Sequence, residues 1–191
     1  AADFSAYRDV ARSACAAYRK SGNPLALVPQ LRALAAAEHV LGNADERDRI
    51  EHELVSEFDY AALPDGAQLR QQTLAQLAGA RLRRSDDRGA ETLVEQIERE
   101  WQRTETCWQA KILRGELALA RAEPELAAPH FCQLWQAAVS GEHGIDVDAV
   151  ARRLRQLEEQ LGATRFAAVY AEHAGSAPTP DALGVSIRQP N

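Results

Sequence analysis

Apolar residues recur along this chain at steps of three and four, the period of helices that bury one face. Nine runs carry that period. The first, Asp3 to Lys20, aligns Phe4, Tyr7, Ala11, Ala14 and Tyr18, and Ser21-Gly22-Asn23-Pro24 stops it. The second, Pro24 to about Leu41, aligns Leu27, Leu31, Leu34, Ala37 and Leu41 and closes at Gly42-Asn43. The third is expected from Ala44 to Tyr60, with Asp45 and Glu46 at its positive dipole end and Ile50, Leu54 and Phe58 inward. After the turn signal Leu63-Pro64-Asp65-Gly66, a fourth run reaches Arg84 with Leu74, Leu77 and Ala78 inward. Ser85-Asp86-Asp87 supplies caps for the fifth, Gly89 to Trp101.

Trp108 to Trp135 is the clearest stretch. Two amphipathic runs flank Arg121-Ala122-Glu123-Pro124, and Gly115 sits on the apolar side of the first, where two helices can cross closely. A glycine-rich break lies between Ser140 and Ile145. Beyond it Asp146 or Asp148 caps an eighth run carrying Val147, Val150, Leu154, Leu157 and Leu161. Gly162 ends it, and a ninth run, Thr164 to Glu172, buries Phe166 and Val169. From Gly175 the proline-bearing tail has no periodicity and is expected to be extended or disordered.

Composition sharpens the picture. Hydrophobic residues make up 46% of 191, aromatics only 6%, and alanine is abundant wherever the period is helical, which predicts an all-α protein. Residues 1–174 read as a single helical-repeat domain, with 1–22 as an N-terminal capping helix and 175–191 as tail. Turn centres near residues 42, 86, 122 and 162 stand 44, 36 and 40 residues apart, a spacing that suits stacked helical hairpins. Each hairpin has an apolar stripe too wide to bury alone and must stack on its neighbours.

In the hairpin centred on Ala122, Leu113 and Gly115 are followed by Ala127 and Phe131, twelve and sixteen residues beyond the glycine. This pattern resembles the tetratricopeptide repeat, with a period longer than that family's usual 34 residues. The resemblance implies a right-handed superhelix of stacked hairpins whose concave groove is lined by the first helix of each. In the best-matched hairpin that places Gln109, Ile112, Glu116 and Leu119 in the groove. Turn alignment adds Gln76, Ala80 and Arg83 on one side and Arg152 and Gln156 on the other. Gln76, Arg83, Gln109, Glu116, Arg152 and Gln156 are therefore the candidate partner-binding residues.

Charge and chemistry narrow the function classes. The net charge is −6 and the pI about 5.4, so there is no electrostatic footprint for binding a phosphate backbone, and nucleic acid is not expected as a partner. No apolar run reaches the roughly 18 residues of a spanning helix, so no membrane insertion is expected. Cys15, Cys107 and Cys132 lack CxxC spacing, and their odd number rules out a complete disulfide framework. They read as free, packed thiols, with one disulfide and a spare thiol as the alternative. None of His39, His52, His130, His143 and His173 forms an HExxH pair, and Asp146 and Asp148 lack the further oxygen ligands of a calcium loop. No metal or cofactor is expected.

Residues 45–59 hold seven acids and two arginines, and residues 68–88 hold five arginines and two aspartates. They read as a solvated acidic face and a basic helix end. No GxSxG, P-loop or GxGxxG motif is present, so the chain is not expected to be an enzyme. The expected function is a noncatalytic adaptor or scaffold that binds a peptide or subunit in its groove, in a setting such as a bacterial envelope or secretion assembly. The alternatives are a ligand-responsive regulatory domain of a larger protein and an accessory subunit of an enzyme complex. The Ala1-Ala2-Asp3 start suits a chain matured by signal-peptide cleavage, a lean toward the bacterial periplasm with cytoplasm otherwise, and equally suits a cut product.

Overall fold

A computed structural model describes residues 3–101, 108–141 and 145–180; Cys107, His143 and the tail beyond residue 180 lie outside them. Among the described residues the protein is all-α, with nine α-helices and no strand. No helix there is long and apolar enough to cross a membrane. The chain forms two compact units, 1–77 and 78–191.

The first unit begins with α1 (Phe4–Ser21), α2 (Pro24–Val40) and α3 (Ala44–His52). The Asp3 carboxylate caps α1 by accepting from the N–H groups of Ser5 and Ala6, both at 3.1 Å. Gly22 then closes α1 in the left-handed region at φ 63°, sending α2 back along it. Leu27, Val28, Leu31, Leu34, Ile50, Leu54 and Leu74 form the core. Glu38 is buried as well. Its two oxygens accept from Arg12 of α1 and Asn43 of the α2–α3 turn, each at 2.6 Å, so one carboxylate ties three segments together.

The third run ends earlier than its periodicity predicts. Past His52 the chain makes a π-helical turn, Glu53–Glu57, and then a short 3-10 turn, Tyr60–Ala62. Side chains have taken the carbonyls that would continue the α-helix. The buried Tyr60 hydroxyl donates to Leu54 O at 3.0 Å and Arg70 donates to Val55 O at 3.1 Å, while Phe58 N–H reaches back five residues to Glu53 O. Arg70 also lies over the Tyr60 ring, 5.5 Å from its centroid.

The unit boundary falls within α4 (Gly66–Arg83). The second unit continues with α5 (Asp87–Trp101), α6 (Trp108–Ala120), α7 (Pro124–Val139), α8 (Val147–Leu161) and α9 (Ala163–His173). Helix α5 packs on α6, α6 on α7, and α7 on both α8 and α9. Asp86 caps α5 by accepting from Gly89 N–H at 3.0 Å, and Asp146 caps α8 through Ala149 N–H at 2.9 Å. Phe131, Leu134, Trp135, Leu154, Leu157, Phe166 and Tyr170 centre the core. Residues 175–180 return against this core: Pro178 O accepts from Trp135 Nε1 at 2.7 Å and from the Tyr170 hydroxyl at 2.8 Å.

Helices α2 and α7 correspond position by position at numbers one hundred apart. Each has proline at its first residue, Pro24 and Pro124, and again five residues on, Pro29 and Pro129. Buried pairs follow: Leu27 with Ala127, Val28 with Ala128, Leu31 with Phe131, Leu34 with Leu134, Ala35 with Trp135. The turns before them match as well, with Gly22 at φ 63° and Ala122 at φ 58°. The hairpins α1–α2 and α6–α7 are thus two versions of one unit.

Candidate functional site

The candidate site grows from the α6–α7 crossing. Gly115 is buried, and a methyl group there would stand 2.7 Å from Phe131 Cζ, so the missing side chain is what lets the Phe131 ring lie against the α6 backbone. Helix α8 closes the third side, and the three helices enclose a pocket of about 450 Å³. Ile112, Phe131, Ala149 and Val150 give it apolar walls, and Glu116, Asp146, Arg152, Arg153 and Gln156 ring its mouth.

That mouth is electrostatically ordered. Arg153 donates two bonds to Glu116, at 2.6 and 2.7 Å, and a third to Gln156 Oε1 at 2.8 Å. A bidentate arginine–carboxylate pair holds both side chains in one geometry and so fixes α6 against α8 at this point. Arg152 is exposed and has no ion-pair partner among the described residues. No family model, curated protein or solved structure matches this chain.

Three of the six candidate residues, Glu116, Arg152 and Gln156, meet around this pocket, together with Ile112. Gln109 is exposed on α6, outside the pocket lining. Arg83 is exposed at the last residue of α4 in the second unit, and Gln76 is exposed on α4 in the first. Sequence reasoning missed Arg153 and the use of Phe131 as a wall. The one local signal for Arg153 was its place a single turn before Gln156 on α8; its pairing with Glu116 exists only once α8 has packed beside α6.

A second pocket, of about 340 Å³, lies between α8, α9 and the returning segment, walled by Leu154, Phe166, Ala167, Tyr170 and Pro180 with Arg155 and Glu158 at its edge. Elsewhere in this unit, Lys111 of α6 donates to Gln133 Oε1 of α7 and lies 5.6 Å from the Trp108 ring centroid. Burial, helped by the charges of Lys111 and Arg114, pushes His130 below its ordinary pKa, and burial likewise lowers Lys111. Cys15 and Cys132 are free and buried, and burial drives the Cys132 thiol up to about 12, so it is neutral and unreactive. Among the described residues no group of three or more His, Cys, Asp or Glu is placed to hold a metal ion.

Proposed function

We propose that this chain is a noncatalytic helical-repeat adaptor, a right-handed stack of tetratricopeptide-like hairpins that binds a partner peptide or subunit in the groove over α6, α7 and α8. The observation that supports it most is the α6–α8 pocket, where an apolar floor lies under a charged, pre-ordered rim. An apolar anchor side chain of the partner enters between Ile112, Phe131 and Val150, and the exposed Arg152 meets a polar group beside it. Three of the six candidate residues chosen from the repeat alignment, Glu116, Arg152 and Gln156, converge there, which favours a groove at this place.

The test is affinity capture from native lysate with wild type, Arg152→Glu and Ala149→Trp, which fills the pocket. Partners retained by wild type and lost with both variants support the groove; an identical set at identical strength refutes it. A second reading, a ligand-responsive regulatory domain, is favoured by the apolar α8–α9 pocket. On that reading a thermal-shift screen with small apolar compounds raises the melting temperature of wild type, because a ligand bound only by the folded state stabilises it.

A further inference from the structure

The correspondence between the two hairpins exposes an unfilled position. The stripe Ala110, Arg114 and Leu117 of α6, continued by Arg121 just beyond it, faces α5: Arg114 pairs with Glu98 at 2.7 Å and Arg121 with Glu91 at 2.7 Å, and Ala110 and Leu117 are buried. The same stripe on α1 is Val10, Ala14, Ala17 and Ser21. No helix among the described residues of the first unit covers it: Val10 is 68% exposed, and Tyr7, one turn before, is 50% exposed. Where α6 has a neighbouring helix, the described residues of the first unit place none on this face of α1.

The bare stripe has the form of a helix-packing seam. Tyr7, Val10, Ala14 and Ala17 alternate at steps of three, four and three, the spacing by which one helix seats its side chains between those of another. On a helical projection Arg8, Asp9, Arg12 and Arg19 fall on the opposite side and Lys20 flanks the seam one turn beyond Ala17, so the seam itself carries no charge to repel a like surface. Its two halves differ in size, with the large Tyr7 and Val10 toward the N-terminus and the small Ala14 and Ala17 toward the C-terminus.

We propose that α1 is a self-association helix, packing antiparallel on the α1 of a second copy across a two-fold axis. In that register Tyr7 of each chain meets Ala17 of the other and Val10 meets Ala14, so every large side chain lies on a small one; a parallel pair would set large against large. The area agrees. At 150–250 Å² for a fully exposed large aromatic, and somewhat less for valine, Tyr7 and Val10 at their observed exposures, with the neighbouring alanines, present on the order of 250 Å² of apolar surface. Two copies bury about twice that, the apolar share of a small, reversible interface. An interface of this size suits a weak, reversible dimer.

Sedimentation equilibrium of the full chain from about 5 to 300 µM tests the proposal, with circular dichroism to confirm that each variant is folded. Wild type is expected to pass from monomer to dimer within this range. Val10→Asp is expected to weaken the dimer at least tenfold, and Asp9→Lys, on the charged side, to leave it unchanged. Ala17→Tyr alone sets ring against ring and is expected to weaken the dimer at least tenfold, and Tyr7→Ala with Ala17→Tyr to restore it to within about threefold of wild type. A wild type monomeric throughout, a dimer indifferent to Val10→Asp, or a double variant no better than Ala17→Tyr alone overturns the proposal. The first of those outcomes with a protein retained by wild type and lost with Val10→Asp assigns the seam to a different partner.

Discussion

The hairpins α1–α2 and α6–α7 share a turn, a pair of prolines and a buried stripe, yet they are closed by different means. In α6–α7 the helices meet at a missing side chain, Gly115, filled by the Phe131 ring. In α1–α2 the corresponding positions are Cys15 and Leu31, both buried, and a buried carboxylate, Glu38, bridges Arg12 and Asn43. One hairpin relies on shape and the other adds charge. The comparison teaches that the second helix of the pair is the constant part, because its face is fixed by the core, while the first helix is adapted to its neighbours.

The largest effect should come from the shared stripe. Phe131→Ala is expected to lower the free energy of unfolding by about 3–5 kcal/mol and Leu31→Ala by about 2–5 kcal/mol in chemical denaturation. A loss at only one of the two would break the correspondence. Next comes the crossing itself. Gly115→Ala is expected to cost about 1–3 kcal/mol by forcing Phe131 out of its place, whereas Cys15→Ala, which adds no volume, should cost less. Removing the buried charge by Glu38→Gln leaves its hydrogen-bonding partners weakly met and is expected to cost about 1–3 kcal/mol.

The turns offer a smaller and sharper comparison. Gly22 and Ala122 share a left-handed backbone, and open space surrounds Gly22, so Gly22→Ala tests conformation alone and should cost about 1 kcal/mol. Ala122→Gly should have the opposite sign, by a few tenths of a kcal/mol after the greater freedom of glycine in the unfolded chain is counted.

The smallest expected effect is on pH dependence, in the second hairpin only. His130 is held below its ordinary pKa, so between that ordinary value and its folded value the unfolded chain binds more protons. Its contribution to stability is present above the ordinary histidine range and is lost as pH falls through the folded value. Denaturation at pH 7.5 and pH 5 should show a drop that His130→Gln makes shallower; an unchanged drop would assign it to other groups.

Much of the architecture was legible in the residues themselves. The three-four alternation located the nine helices of the described residues because each must bury one face, and Gly115 marked a close crossing, while the structure alone shows that the Phe131 ring fills the space the glycine leaves. The third helix is shorter than its pattern implies. Its period continues to Phe58, but Tyr60 and Arg70 capture the carbonyls of Leu54 and Val55, and those hydrogen bonds depend on a tertiary approach that no local pattern encodes. The pocket was half legible for the same reason: Glu116, Arg152 and Gln156 followed from repeat alignment, while Arg153 entered through its bond to a carboxylate 37 residues away.

Sequence by itself determined most of the positions that turn inward, since burial of apolar surface is periodic and periodicity can be read along a chain, but Phe4, Tyr7 and Leu41 lie on the expected inward faces and are exposed. Tertiary structure alone decided which inward faces found a neighbour. The α6 stripe is covered by α5, and no helix among the described residues of the first unit covers its counterpart on α1, although both are helix faces of similar spacing. Local pattern specifies a face that can pack. Whether another helix arrives to cover it depends on contacts distant in the chain, and at α1 that contact is the one the seam leaves for a second copy.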